Sequence, residues 1–145
     1  MTAPEDALEI AAGLRMTIGM LLRKLRQIQL GADLSMPESL TLSRLDRGGP
    51  ATSSDLARLD KISPQSMGAT LAVLEQRGLV ARSRDPEDGR RIVLSITEQG
   101  RQVTRDRRDA RTEHIAGALQ TGFTEAELGQ LRAVTPLLER LAEKL

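Results

Sequence analysis

Cysteine, tryptophan and tyrosine are missing from this 145-residue chain, and Phe123 is its one aromatic residue. Without cysteine there is no disulfide, no thiolate zinc site and no thiol redox switch. His114 is the single histidine, so a His-rich metal site is excluded, and no cluster of carboxylates offers a replacement. The shortage of aromatic platforms argues against reading single-stranded nucleic acid by base stacking. No P-loop or G-x-G-x-x-G is present, one histidine supports no Ser/His/Asp set, and no acidic pair stands in an apolar setting. The sequence therefore predicts no enzyme, no cofactor and no metal. Long apolar runs are lacking as well: nothing approaches a bilayer span. Met1 to Glu9 has no basic stretch followed by an apolar one, so no signal peptide is expected. A cytoplasmic protein without a membrane partner is the expectation.

What is present is helix-forming. Leu, Ala, Arg and Glu dominate. A first helix is expected over Asp6 to Leu30, with Ile10, Leu14, Ile18, Leu21, Leu25 and Ile28 as one apolar stripe and Gly31 as its C-cap. A second starts near Ser35, places Pro37 in its first turn, runs through Leu40, Leu42 and Leu45 and stops at Gly48, Gly49, Pro50. A short third follows the cap Thr52, where Asp55 resembles the acid of a capping box, with Leu56 and Leu59 inward and Ile62 closing the segment. The fourth has Ser63 as N-cap, Pro64 as first residue, Met67, Leu71 and Leu74 as buried stripe, and Gly78 as C-cap. The period then changes to two, predicting strands over Leu79 to Arg84 and Arg91 to Ile96, with Ile92, Leu94 and Ile96 alternating inward. Thr97 caps a fifth helix to about Thr121. Thr124 and Glu127 form a T-x-x-E box before a sixth, whose Leu131, Val134, Leu138, Leu141 and Leu145 follow a heptad seam.

Net charge is +1, but it is unevenly spread: Lys61 to Arg111 holds 11 basic and 7 acidic residues. Helix, short turn, helix and hairpin is the winged helix-turn-helix order. With its stripe turned inward, the fourth helix presents Gln65, Ser66, Ala69, Thr70 and Val73. A plain surface helix would carry more Lys and Glu there, yet nothing from Ser63 to Val73 is charged. Gln suits adenine, Ser and Thr suit several bases, and Ala or Thr methyls suit the thymine methyl. The helix N-terminus at Ser63 offers free N–H groups to a phosphate. On the hairpin, Arg82 and Arg84 point to one side of their strand. Arg90 and Arg91 sit at or just past the tip, and Asp88 is spaced to pair with Arg90. Arginine favours a narrow minor groove. Arg101, Arg105 and Arg108 share a helix face near Asp109 and Glu113, which reads as a solvated ion-pair surface.

The run from Ala51 to Gly100, about a third of the chain, resembles the core of the MarR (multiple antibiotic resistance regulator) family. The likeness rests on SPQSMGATLAVLEQRGLV, RSRDPEDGRR and LSITEQG. It implies that Ser63, Gln65, Ser66 and Thr70 are recognition-helix positions, that Asp88 and Arg90 are the wing's D-x-R, and that Arg90 is the minor-groove arginine. Gly89 stands where many members carry a second arginine. The expected architecture is mainly α with a small β-hairpin wing, hence α+β: a single domain over 1–145. It comprises a DNA-binding lobe at 36–100 and dimerisation helices at 6–30 and 101–145. The terminal stripes are long for so small a core, and family members pair through these helices. The expected function is sequence-specific binding of double-stranded DNA at a pseudo-palindromic operator by a homodimer, as a repressor relieved by a small organic effector. A winged-helix protein-interaction module is the alternative. A metal-sensing winged helix is disfavoured by the lack of Cys and His.

Overall fold

A computed structural model describes residues 4–28 and 33–145. The elements run α1 (Pro4–Gln27), α2 (Met36–Gly48), α3 (Ser53–Asp60), α4 (Pro64–Gln76), β1 (Val80–Arg84), β2 (Ile92–Ile96), α5 (Glu98–Gly122) and α6 (Glu125–Lys144). The chain is thus mainly helical with one two-stranded antiparallel hairpin among the described residues. The expected cap at Gly31, and the last residues of the helix drawn to Leu30, lie outside the described residues.

The core gathers where α2, α3, α4 and the hairpin meet. Leu42, Leu45, Leu56, Met67, Leu71, Leu74 and Leu94 are each at most 1% exposed. Leu59, expected to face inward, is instead exposed, and so is Leu40. On α2 the buried side is set by Thr41, Leu42 and Leu45, and Leu40 falls roughly opposite it at 100° per residue. On α3 the buried side lies between Leu56 and Ala57, which turns Leu59 away. Ile62 is exposed too. Ile92 breaks the expected inward alternation for a different reason. It faces Arg84 at the end of the ladder farthest from the buried Val80–Ile96 pair, so no core lies beneath it.

Caps define the elements. Ser35 and Glu38 form a capping box, an S-x-x-E legible in the sequence at the start of α2. Behind α4, Gly78 takes φ +71, with Gly78 N–H bonded to Glu75 C=O and Leu79 N–H to Leu74 C=O. That double closure is the Schellman motif. It is bolted to α5: the Thr97 hydroxyl donates to Gly78 C=O at 2.7 Å and accepts Gly100 N–H at 3.0 Å. A Cβ on Gly100 would lie 2.2 Å from the Leu79 carbonyl oxygen, so only glycine lets α5 start against this turn. Ala51 exchanges both backbone hydrogen bonds with Leu94, an isolated bridge on the free side of β2 that no sequence pattern marked.

The chain divides into two compact units at Arg108–Asp109, inside α5. In the first, none of the described side chains of α1 is buried; Ile10, Met16, Ile18, Met20 and Leu21 stay exposed. In the second, α6 opens on the expected Thr124–Glu127 box and passes through Pro136. It also buries nothing: Leu131, Val134, Leu137, Leu138 and Leu141 are all exposed. A groove of about 390 Å³ runs along this unit, lined by Ala116, Leu119, Gln120, Leu128, Leu131, Arg132 and Thr135.

Candidate nucleic-acid interface

The site begins with the turn into α4. Helix α3 ends on Lys61, a left-handed residue at φ 53. Its N–H reaches Arg58 C=O while Ile62 N–H reaches Ala57 C=O, again a Schellman closure, here without the usual glycine. Ser63 then caps α4: its hydroxyl accepts Ser66 N–H at 3.1 Å and donates to Ser66 Oγ at 2.9 Å. Pro64 fills the first turn, where its missing N–H costs nothing. With Met67, Leu71 and Leu74 sealed inside, the outer side of α4 carries Gln65, Ser66, Ala69, Ala72 and Val73, all exposed, with Thr70 half-buried at its margin. The Thr70 hydroxyl donates to Ser66 C=O at 3.1 Å. The face expected from the sequence is therefore present, although two of its hydroxyl protons, those of Ser63 and Thr70, are already committed to the helix.

The hairpin arginines fall into two classes. Arg82 is clamped by Glu75 at the end of α4, with Nε and Nη2 each donating at 2.9 Å to one carboxylate oxygen. That bidentate bond holds the Glu75 carboxyl below its usual range and raises Arg82. Arg91 lies 3.5 Å from Asp55 of α3 and 3.7 Å from Asp85. Asp55 itself is held below its usual range, first by hydrogen bonding to Thr52 and then by Arg58. The wing is thus tied to both helices of the helix-turn-helix. Arg84 and Arg90 are exposed and make no ion pair with any described residue. The expected Asp88–Arg90 pairing takes another form. The Asp88 carboxylate accepts the Arg90 backbone N–H at 3.1 Å, and Asp88 C=O accepts Arg91 N–H at 2.9 Å. The aspartate therefore shapes the loop and leaves the Arg90 guanidinium free, because a residue two positions ahead in a tight turn meets the main chain first.

Three contributors escaped the sequence reading. Glu75 and Asp55 hold Arg82 and Arg91, but the second of these pairs spans 36 residues and leaves no local pattern. Lys61 brings a cation to the turn directly before α4, and no glycine marked that turn. The Arg101, Arg105 and Arg108 face is an ion-pair surface as expected, but with other acids. Glu98 takes Arg101 at 3.4 Å and Arg105 at 2.8 Å, and Asp46 takes Arg108 at 3.7 Å. Among the described residues no group of three or more His, Cys, Asp or Glu is placed to hold a metal ion, and no helix is long and apolar enough to cross a membrane.

Comparison with known proteins places this geometry. The model of the MarR family matches residues 34–92. An uncharacterized HTH-type transcriptional regulator of Mycobacterium bovis is 30% identical over 135 residues, covering 93% of this chain and 94% of its own. A putative transcriptional regulator from Pseudomonas aeruginosa has a similar crystal structure, with TM-score 0.82 and 29% identity over 96% of both chains. A mutant MepR from S. aureus, solved bound to an oligodeoxyribonucleotide, shares the fold at TM-score 0.66. It is 21% identical and spans 94% of this chain and 98% of its own.

Proposed function

Because this chain belongs to the MarR family of transcriptional regulators, we propose that it binds double-stranded DNA as a two-fold homodimer at a pseudo-palindromic operator. Helix α4 enters the major groove and the wing arginines flank it. The observation that carries the reading is the uncharged, exposed outer face of α4 standing beside a hairpin whose Arg84 and Arg90 make no ion pair among the described residues. Neutral directional groups suit base edges, whereas free guanidinium groups suit phosphates and a narrow minor groove. That the MepR mutant of the same fold was solved bound to an oligodeoxyribonucleotide supports DNA as the partner. The protein-interaction alternative has no use for that division. Dimer pairing is assigned to α1 and α6, whose apolar faces stay exposed in the single chain. Repression is the direction we assign, since a dimer lying on two successive major grooves excludes other proteins from that duplex.

The test separates the two roles. Gln65→Ala is expected to cost about 1–3 kcal/mol on the preferred site and to relax preference at one symmetric pair of positions. Arg90→Ala should weaken specific and non-specific binding more evenly. If it removes one phosphate contact per subunit, the slope of log affinity against log salt becomes shallower by about 2 per dimer. A salt titration of both variants on operator and scrambled DNA reads this. A changed slope for Gln65→Ala with intact base preference, together with no effect of Arg90→Ala, would show that the wing points away from DNA.

The effector belongs to the same proposal: a small organic compound working in the cytoplasm, since the chain has no cysteine to oxidise and one histidine. Screening compounds for release of the operator fragment should find organic ligands that act. Peroxide at thiol-oxidising levels, and chelators, should leave affinity unchanged; release by either overturns this part of the reading.

A further inference from the structure

The outer face of α4 is poorer in hydrogen-bonding capacity than its sequence suggests. Thr70 has spent its one O–H on Ser66 C=O, and Ser63 has spent its own on Ser66 Oγ. What Thr70 still offers at the margin is a methyl group and the two lone pairs of its hydroxyl oxygen. Ala69, Ala72 and Val73 add methyl groups only, and Val73 is 40% exposed. Gly68 leaves open space, with nothing within 4 Å of where a Cβ would stand. The groups on this face that can still donate toward a base from the leading turns are the Gln65 amide and the Ser66 hydroxyl.

Cations are missing from the outer face of α4 itself, the one before it being Lys61 in the turn that precedes the Ser63 cap. From Ile62 to Leu74 no residue is charged. Beyond it, Arg77 donates to Asp33 C=O and Glu38, and Arg82 is clamped by Glu75. Guanine shows two acceptors in the major groove, and its commonest specific partner is a bidentate Arg or Lys. This helix brings none. Thymine shows a 5-methyl group, and adenine an acceptor beside a donor that a glutamine amide matches in bidentate fashion.

We infer that α4 selects its half-site chiefly through thymine 5-methyl groups packed on Thr70, Ala69 and Val73, with an adenine under Gln65, and makes no bidentate guanine contact. The inference rests on the proposed entry of α4 into the major groove and names what is read there. It also separates two sources of A·T preference. A wing arginine in the minor groove senses groove width and acceptors there, whereas the thymine methyl lies in the major groove, out of the wing's reach.

The experiment selects bound duplexes from a random pool with the full-length protein, then replaces half-site thymines with deoxyuridine. Deoxyuridine removes the methyl and leaves base pairing and the minor-groove edge unchanged. The expected loss is about fourfold in affinity for one buried methyl and about fifteenfold for the symmetric pair. Thr70→Ser keeps the hydroxyl bond and drops the methyl, and Val73→Thr keeps the shape and swaps a methyl for a hydroxyl. At least one of them should narrow the thymine-over-uracil ratio to near one at its own position. A selected half-site with guanine at the positions neighbouring the one relaxed by Gln65→Ala overturns the inference while leaving DNA binding intact. So does equal affinity for thymine and uracil duplexes, which assigns any A·T preference to the wing. A pool that enriches nothing overturns the inference together with the DNA-binding reading beneath it.

Discussion

At the scale of single residues, the clearest strain in the site is Lys61. A β-carbon in the left-handed region costs about 1–2 kcal/mol, which glycine avoids in exchange for greater freedom in the unfolded chain. Lys61→Gly is therefore expected to stabilise the fold by about 0.5–1 kcal/mol, read as a higher urea midpoint at fixed protein concentration. It should at the same time weaken DNA binding, because a cation beside the first turn of α4 is lost. Higher stability with unchanged DNA affinity would show that Lys61 is only a poor turn residue. The contrast with Gly78 and Gly100 is instructive. Both were legible as glycines, but only the approach of Leu79 C=O to α5 shows why Gly100 has no alternative.

At the scale of elements, capping and pairing carboxylates govern acid sensitivity. Asp55, Glu75, Glu98 and Glu127 are all held below their usual range, by Thr52, Arg82, Arg105 and the Thr124 backbone N–H respectively. A carboxyl whose folded value is depressed contributes stability that is fully present above its unfolded value and is lost as pH falls through the folded one. The urea midpoint should therefore be flat from about pH 7 to about pH 5 and fall below about pH 4. All four are exposed enough for solvent to keep each share small. Glu75→Gln should flatten part of the acid slope, as should high salt, which screens the Glu75 and Glu98 ion pairs more than the Asp55 and Glu127 caps. A midpoint that rises on acidification would contradict these assignments. The same pairs attach the wing to α3 and α4, so acid also loosens the element that carries Arg90.

At the scale of the whole molecule, the exposed apolar faces of α1 and α6 exceed what scattered surface leucines explain. The full chain is expected to sediment as a dimer. On the proposed pairing, truncation after Thr124, which removes α6, should give aggregated or unfolded protein, because the apolar faces of the other terminal helices lose their partner. A folded, soluble monomer of the full chain would refute the pairing.

Much of this was legible beforehand. The order of helices and hairpin, the Met67–Leu71–Leu74 stripe, the Ser63 and Thr124 caps and the outer face of α4 all follow from local periodicity and capping chemistry, which act within a few residues. The fate of each polar group was not legible. Whether Arg82 meets DNA or Glu75, whether Arg91 reaches Asp55, and whether Asp88 holds a guanidinium or a main-chain N–H depend on elements brought together from distant parts of the chain. So does the turning outward of Leu40, Leu59 and Ile92. A stripe says that a helix has an inner side, but the angle of that side is set by what packs against it. Sequence alone thus determined which elements form and which uncharged face α4 turns outward. Tertiary structure decided which charges remain free to act there, because ion pairs and core contacts are made between elements rather than within them.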